Sequence, residues 1–260
     1  MIKPPRILSI AGSDPSGGAG LQADIKTITA LGGYAAAAVT AVTVQNTKGV
    51  RQVKAMSAAL IVDQIHAVLD DIGVDAIKIG LLPNAEIVEA VLAVVEGCGV
   101  PIVLDPVGIS GTGHSLQEED GAKALVKAGF AGAIITPNLA EAARLSGRAV
   151  DDEADMTAAG LDLRESGAGA VLVTGGHLSG DEVVDLRLSD AGVRRFAGPR
   201  IASSAGHGTG CTLSSAMAVE LGRGGGLDDA IIVARRFVRS GLETAPGFGG
   251  GLGPLNHLSR

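Results

Sequence analysis

The residues of this chain most able to do chemistry lie between Ala205 and Ala216, in the run AGHGTGCTLSSA. Gly206, Gly208 and Gly210 leave backbone N–H groups uncovered, and Leu213, Met217 and Leu221 recur behind them near helical spacing. The run therefore reads as a loop opening a helix. Free N–H groups at a helix start carry about half a positive charge, and an anion reaches glycine backbone without meeting a side chain. Such a loop can cradle a phosphate, although the same pattern suits an ordinary tight turn before a buried helix. Cys211, at the helix start, is expected to have its thiol pKa lowered by the local dipole; a small buried cysteine is the alternative. His207 can donate to a phosphate or simply cap the loop.

Other candidates are scattered along the chain. Asp105 and Glu141 are carboxylates suited to Mg²⁺, which favours a few carboxylates plus water and phosphate oxygens. The plainer readings are a turn cap before Pro106 for Asp105 and a solvated helix position for Glu141. Asn138 suits the N-cap of a helix over Leu139 to Leu145. Asp14 sits in a Gly/Ser/Pro loop where turn chemistry accounts for it. Asp24 falls in the first turns of a helix, as a ligand or as a residue favoured by the dipole. Gln45 offers a donor and an acceptor to a heteroaromatic ring. His66 and His257 read as structural or exposed, and no two histidines have metal-ligand spacing.

These residues need a frame to bring them together. Arg6 to Ile10 reads as a buried strand running into the glycine loop Ala11 to Gly20. A helix follows over Leu21 to Leu31, with Leu21, Ile25, Ile28 and Leu31 on one face and Gly32-Gly33 as its stop. Further strands are expected at Ala35 to Val44, Asp75 to Ile79, Pro101 to Leu104, Ala133 to Thr136 and Ala170 to Thr174. Helices are expected at Ala58 to Ile72, Ala85 to Glu96 and Leu227 to about Thr244. Strands alternating with helices at this spacing argue for a parallel sheet covered on both faces, with ligands along the strands' carboxyl edge. Glu182 to Leu188 and Val193 to Phe196 flank Ser189 to Gly192 as an antiparallel hairpin towards one sheet edge. No linker or internal repeat divides the chain, so residues 1–260 are read as one domain.

Composition supports that frame. The 260 residues are 46% hydrophobic but only 2% aromatic, so the core must be aliphatic, as suits buried parallel strands. A net charge of −7 and no Lys/Arg-rich run argue against a nucleic-acid surface. The longest apolar run, Ala35 to Val44, is too short to span a membrane. Cys98 and Cys211 lie far apart and are expected to be unbridged, and the chain is read as soluble and cytoplasmic.

The ordered series AGSDPSGGAG (Ala11–Gly20) with Gln22-Ala23-Asp24, Gln45-Asn46-Thr47, Lys78-Ile79-Gly80, Asp105-Pro106-Val107, Thr136-Pro137-Asn138 with Glu141-Ala142, Gly175-Gly176-His177 and His207-Gly208-Thr209-Gly210-Cys211-Thr212 resembles the hydroxymethylpyrimidine/phosphomethylpyrimidine kinases of thiamine biosynthesis. The resemblance covers nearly the whole chain. It implies a ribokinase-like three-layer α/β/α fold with a mainly parallel central sheet, and phosphorylation of a pyrimidine hydroxymethyl group and then of the monophosphate, with ATP and Mg²⁺. It places Gly12, Ala19, Asp24, Gln45, Leu81 and Val107 around the pyrimidine. Gly208, Thr209 and Gly210 form the anion hole, with Cys211 where other ribokinase-like enzymes carry a catalytic aspartate. It assigns Asn138, Thr174, His207 and Arg235 to ATP, Asp105 and Glu141 to Mg²⁺, and implies a homodimer.

Three lysines usual in the family are replaced here, at Gly111, Thr174 and Arg235, and no lysine follows Lys127. The usual Asn-Thr before the anion loop is Ala205-Gly206, and the usual methionine after Lys-Ile-Gly is Leu81. Two other readings therefore stand beside the pyrimidine kinase: a pyridoxal or pyridoxine kinase, and a pyrimidine-binding protein with weakened kinase activity.

Overall fold

Aliphatic runs broken by glycine assemble into a sheet because branched side chains fill both of its faces once helices cover them. The computed structural model describes residues 3–111 and 113–258. Its main strands are β1 (Arg6–Ser13), β2 (Tyr34–Asn46), β3 (Gly49–Ala55), β4 (Ala76–Ile79), β5 (Ile102–Leu104), β6 (Ile134–Ile135), β7 (Ala170–Thr174), β8 (Glu182–Ser189) and β9 (Gly192–Pro199). They form one sheet in the order β3-β2-β1-β4-β5-β6-β7-β8-β9. The strands from β2 to β7 are parallel, whereas β3, β8 and β9 join antiparallel at the two edges. The chain leaves β1 to one side for β2 and to the other for β4, which opens a crevice at the carboxyl ends of β1 and β4.

Helices α1 (Gly20–Ala30), α2 (Ala58–Leu69), α3 (Ala85–Val95), α4 (Glu119–Lys127), α5 (Leu139–Ser146), α6 (Glu153–Glu165), α7 (Thr209–Gly222) and α8 (Leu227–Glu243) make the outer layers. Ile61 and Ile65 of α2, Val88 and Val91 of α3, Leu125 of α4 and Leu163 of α6 pack with Leu8, Ile10, Ile77 and Ile79 on one face of the sheet. Ile28 of α1, Met217 of α7 and Ile231 of α8 pack with Ile7, Ala76 and Val103 on the other. Successive strand side chains alternate between these layers, as a period of two requires. A short parallel pair, β10 (Ala205–His207) and β11 (Gly253–Pro254), lies apart from the main sheet.

The expected strands, the hairpin and its antiparallel edge position are all present, with boundaries shifted by a few residues. Strand β1 runs on through Gly12 to Ser13 instead of stopping at Ile10. Strand β3 and helices α4 and α6 are elements the sequence pattern did not single out. The inward stripe of α1 also differs from expectation: Ile25 is 40% exposed, and Asp24 is fully buried beside Ala23, Thr27 and Ile28. A carboxylate occupies an inward position there because a buried cation meets it. Cys98 and Cys211 are both free, as expected. Among the described residues, no helix is long and apolar enough to cross a membrane.

Candidate active site

A cavity of about 1240 Å³ opens along the carboxyl ends of the parallel strands, and every expected site residue except Asp24 lines it. The ends of β1 and β2 supply Gly12 and Gln45, the loop into α1 supplies Ala19, and the loops after β4, β5, β6 and β7 supply Leu81, Asp105 with Val107, Asn138 with Glu141, and Thr174. Gly208 to Cys211 and Arg235 complete the wall.

The cradle has the form its glycines demand. Gly208 sits in the left-handed region at φ +84° and is the N-cap of α7; a side chain there would press on the Gly18 carbonyl. The first intrahelical bond runs from Thr212 N to Gly208 O at 2.9 Å, so the amides of Thr209, Gly210 and Cys211 lie ahead of it. Thr209 Oγ1 donates to Gly206 O at 3.2 Å and tightens the turn.

Asp24 corrects the expectation of a pyrimidine contact. It is fully buried, pairs with Lys78 Nζ at 2.9 Å through both oxygens, and accepts from Ser9 Oγ at 2.6 Å and Ser215 Oγ at 2.8 Å. Its oxygens are saturated beneath the cavity, so it acts on the site through Lys78, which lines the floor. Burial by itself would lower the Lys78 pKa; the charge of Asp24, backed by Cys211 and Asp105, overturns that and raises it. Sequence reasoning gave Lys78 no role, yet a lysine inside the strand AIKI was a signal, because a buried ammonium needs a partner.

Burial also overturns the expectation for Cys211. It pushes the thiol up to about 12, with Asp105 and Asp24 adding to the shift and Lys78 opposing it, so the residue is a thiol near neutral pH. Burial likewise raises Asp105 to about 6, against the charge of Lys78. Asp105 Oδ2 is buried without a hydrogen-bond partner, while the Ser214 hydroxyl serves the carbonyls of Gly210 at 2.9 Å and Cys211 at 3.2 Å. A Cβ on Gly210 would stand 3.4 Å from Asp105 Oδ2, which places the carboxylate directly under the cradle.

Glu141 is not a solvated helix residue. It is buried and forms a capping box with Asn138: Glu141 N donates to Asn138 Oδ1 at 3.0 Å, and Asn138 N donates to Glu141 Oε2 at 2.9 Å. Burial first, and the charge of Asp105 second, push Glu141 up to about 8. Asp105 thus lies close enough to raise Glu141, and the orphaned Asp105 Oδ2 is a vacant acceptor. Together they fit Mg²⁺, which takes one or two carboxylates and fills its shell with water and phosphate oxygens. Among the described residues no group of three or more His, Cys, Asp or Glu forms a dedicated metal cage.

His207 faces the Gln45 side of the cavity. Its Nε2 lies 2.7 Å from Asp14 Oδ2, with Ser16 Oγ and Gln45 Nε2 each at 3.4 Å. Asp14, which sequence reasoning treated as turn chemistry alone, also accepts from Ser16 N at 2.8 Å and Ala19 N at 2.9 Å. The Asp14–His207 contact thus ties the first glycine loop to the cradle. At the other end, Arg235 pairs with the buried Asp185, whose Oδ1 accepts from Gly175 N at 2.9 Å, so Arg235 is held by protein rather than left free. Asp185 is a site residue the sequence did not flag.

Sheet order, crevice and cradle together define a ribokinase-like phosphotransferase. The structure matches a Bacillus subtilis pyridoxal kinase in its ADP complex with a TM-score of 0.91 at 32% identity, covering 99% of this chain and 98% of that one. It matches a phosphomethylpyrimidine kinase from Clostridium difficile 630 with a TM-score of 0.79 at 35% identity, over 90% and 97% of the two chains. The chain belongs to the phosphomethylpyrimidine kinase family, whose model matches residues 14–256. A hydroxymethylpyrimidine/phosphomethylpyrimidine kinase of Rhizobium meliloti is 42% identical over 257 residues, 97% of each chain. The thiamine biosynthesis bifunctional protein ThiED of Geobacter sulfurreducens is 41% identical over 254 residues; this chain spans about half (52%) of its length.

Two outcomes are expected. Lys78→Met leaves the Asp24 charge buried and unpaired, and urea unfolding should show a loss of about 3–5 kcal/mol; adding Asp24→Asn should recover part of it. The raised pKa values of Asp105 and Glu141 mean that the native state holds protons the unfolded chain has released. Stability of the ligand-free protein should therefore fall as pH rises from about 4 to 8, by a few kcal/mol. Thermal melts should show a shallower fall in Glu141→Gln, and Mg²⁺ should raise the Tm of the native sequence more at pH 8 than at pH 5.

Proposed function

We propose that this protein uses MgATP to phosphorylate the hydroxymethyl group of 4-amino-5-hydroxymethyl-2-methylpyrimidine, and then the resulting monophosphate, in thiamine biosynthesis. The observation that carries this reading is the open amide cradle Gly208–Cys211 sharing one cavity with Gln45. In this reading Gln45 meets the polar edge of the ring, with Gly12, Ala19, Leu81 and Val107 bounding its faces. The amides of Thr209, Gly210 and Cys211 stabilise charge developing on the transferred phosphoryl group. Such transfer needs positioning and charge stabilisation more than a strong base. Cys211 acts there as a neutral thiol, not as a base. Asp105 and Glu141 would hold Mg²⁺, which neutralises phosphate charge when bound. Asn138, Thr174 and Arg235 line the end assigned to ATP, whereas His207 holds the ring-side loop. The reading includes a cytoplasmic location and, as the family resemblance implies, a homodimer.

A second reading, a pyridoxal kinase, draws support from the fold. Pyridoxal kinases of Bacillus subtilis and Staphylococcus aureus match at TM-scores of 0.91, above the 0.79 of the Clostridium difficile phosphomethylpyrimidine kinase. A third, pyrimidine binding with weakened turnover, draws on the missing lysines.

Incubation of the purified protein with MgATP and either hydroxymethylpyrimidine or pyridoxal separates all three. ADP release with phosphorylated pyrimidine is the expected result; phosphate on pyridoxal alone, or pyrimidine binding without turnover, overturns it. Arg235→Ala combined with Asp185→Asn, which removes the otherwise orphaned carboxylate, should raise the KM for ATP about tenfold and leave pyrimidine affinity unchanged. An unaltered ATP KM would remove Arg235 from the nucleotide site.

A further inference from the structure

The segment after α8 runs back across the cavity, and the chemistry described so far does not use it. Leu252 N donates to Thr47 O at 2.9 Å, in the turn between β2 and β3. Gly253 N donates to Ser204 O at 3.2 Å, and β11 pairs with β10 immediately before the cradle. Further on, Leu255 is buried, Asn256 N donates to Gly241 O at 3.0 Å, and His257 Nε2 lies 3.1 Å from Thr212 Oγ1, next to Cys211. The backbone around Leu252 is thus fastened on both sides, to the β2–β3 turn and to the cradle helix.

Among the described residues after α8, Leu252 alone lines the cavity. Its two methyl groups cover a glycine each. A Cβ on Gly206 would stand 3.1 Å from Leu252 Cδ1, and one on Gly111 would stand 3.0 Å from Leu252 Cδ2. Gly206 leads into the cradle, and Gly111 belongs to the loop after β5 that Ser110 N closes on His114 O at 2.8 Å. Neither glycine has a side chain with which to close the gap, so the isobutyl group of Leu252 is what fills it.

We propose that Leu252 is a positioning residue that seals the phosphoryl-transfer site against water. The inference rests on the kinase reading above. Water competes with the substrate hydroxyl for the terminal phosphoryl group: its oxygen forms the new bond to phosphorus, the bond to ADP breaks, and a proton passes to solvent, so that ATP and water become ADP and inorganic phosphate. Excluding water suppresses that side reaction and strengthens the electrostatic contacts inside. A hydrocarbon plug on doubly anchored backbone does this without adding a polar group to the wall.

The test compares Leu252→Ala, Leu252→Met and, as a surface control, Phe248→Ala at a site 67% exposed. Phosphate release from MgATP without acceptor, ADP formed per phosphorylated pyrimidine, and amide hydrogen exchange over residues 206–211 are measured. Leu252→Ala should raise acceptor-free hydrolysis about tenfold, near 1.4 kcal/mol in barrier, and exceed one ADP per product. Leu252→Met and Phe248→Ala should stay near the native ratio. A native ratio in Leu252→Ala, or a Met variant as leaky as the Ala variant, overturns the seal. If the native protein phosphorylates no pyrimidine, the kinase reading fails separately. Exchange then decides the seal: faster exchange of Gly206–Gly210 amides in Leu252→Ala alone supports it, and unchanged exchange overturns it.

Discussion

The site depends first on one buried ion pair. Lys78 and Asp24 are both fully buried, joined at 2.9 Å, and the two hydroxyls of Ser9 and Ser215 complete the carboxylate's shell. Removing either charge from water is costly, and only this completeness of pairing makes the arrangement tolerable. The pair joins α1 to β4, and Ser9 and Ser215 add β1 and α7 to the same knot. Helix α7 carries the cradle at its start. Its position relative to the first glycine loop is therefore set by a polar contact inside an otherwise aliphatic layer.

Charge is distributed unevenly above that knot. Asp105 and Glu141 lie in a poorly solvated wall where burial raises both and the charge of Asp105 adds to the rise of Glu141, and burial holds Cys211 as a neutral thiol. Lys78 is committed to Asp24, and Arg235 to Asp185. Backbone amides at the start of α7 are then the principal donors facing the cavity at this point. Dipolar stabilisation by fixed amides needs no reorganisation as charge develops, and this suits phosphoryl transfer. A divalent cation would complement the two carboxyls, whose pKa values burial raises despite the nearby charge of Lys78.

Two tethers give the cavity its outline. The Asp14–His207 contact at 2.7 Å draws the loop after β1 against the cradle, with the amides of Ser16 and Ala19 bound to the same carboxylate. The parallel pairing of β10 with β11 binds the segment after α8 across the opposite side. Glycine at 208 permits the close crossing of these strands of chain, since its left-handed backbone lies against the Gly18 carbonyl.

Much of this was legible in the sequence. Periodic apolar runs of 3.6 and 2 residues marked the alternating strands and helices, glycines marked the strand ends, and parallel topology alone brought distant motifs to one edge. Cradle, capping asparagine and cavity-lining Gln45 followed from local chemistry. Pairing across the fold decided the rest. The family resemblance placed Asp24 at the ligand, and nothing in its helix discloses Lys78, which lies 54 positions away in sequence. Cys211 was expected to be acidic because a helix dipole is a local property, whereas the burial that overrides it comes from surrounding layers. Strand β3 was passed over because an edge strand with one exposed face lacks the continuous apolar run of a central one. Leu252 was invisible for a similar reason: a leucine in a glycine-rich segment has no distinguishing pattern until tertiary contacts set it over Gly206 and Gly111.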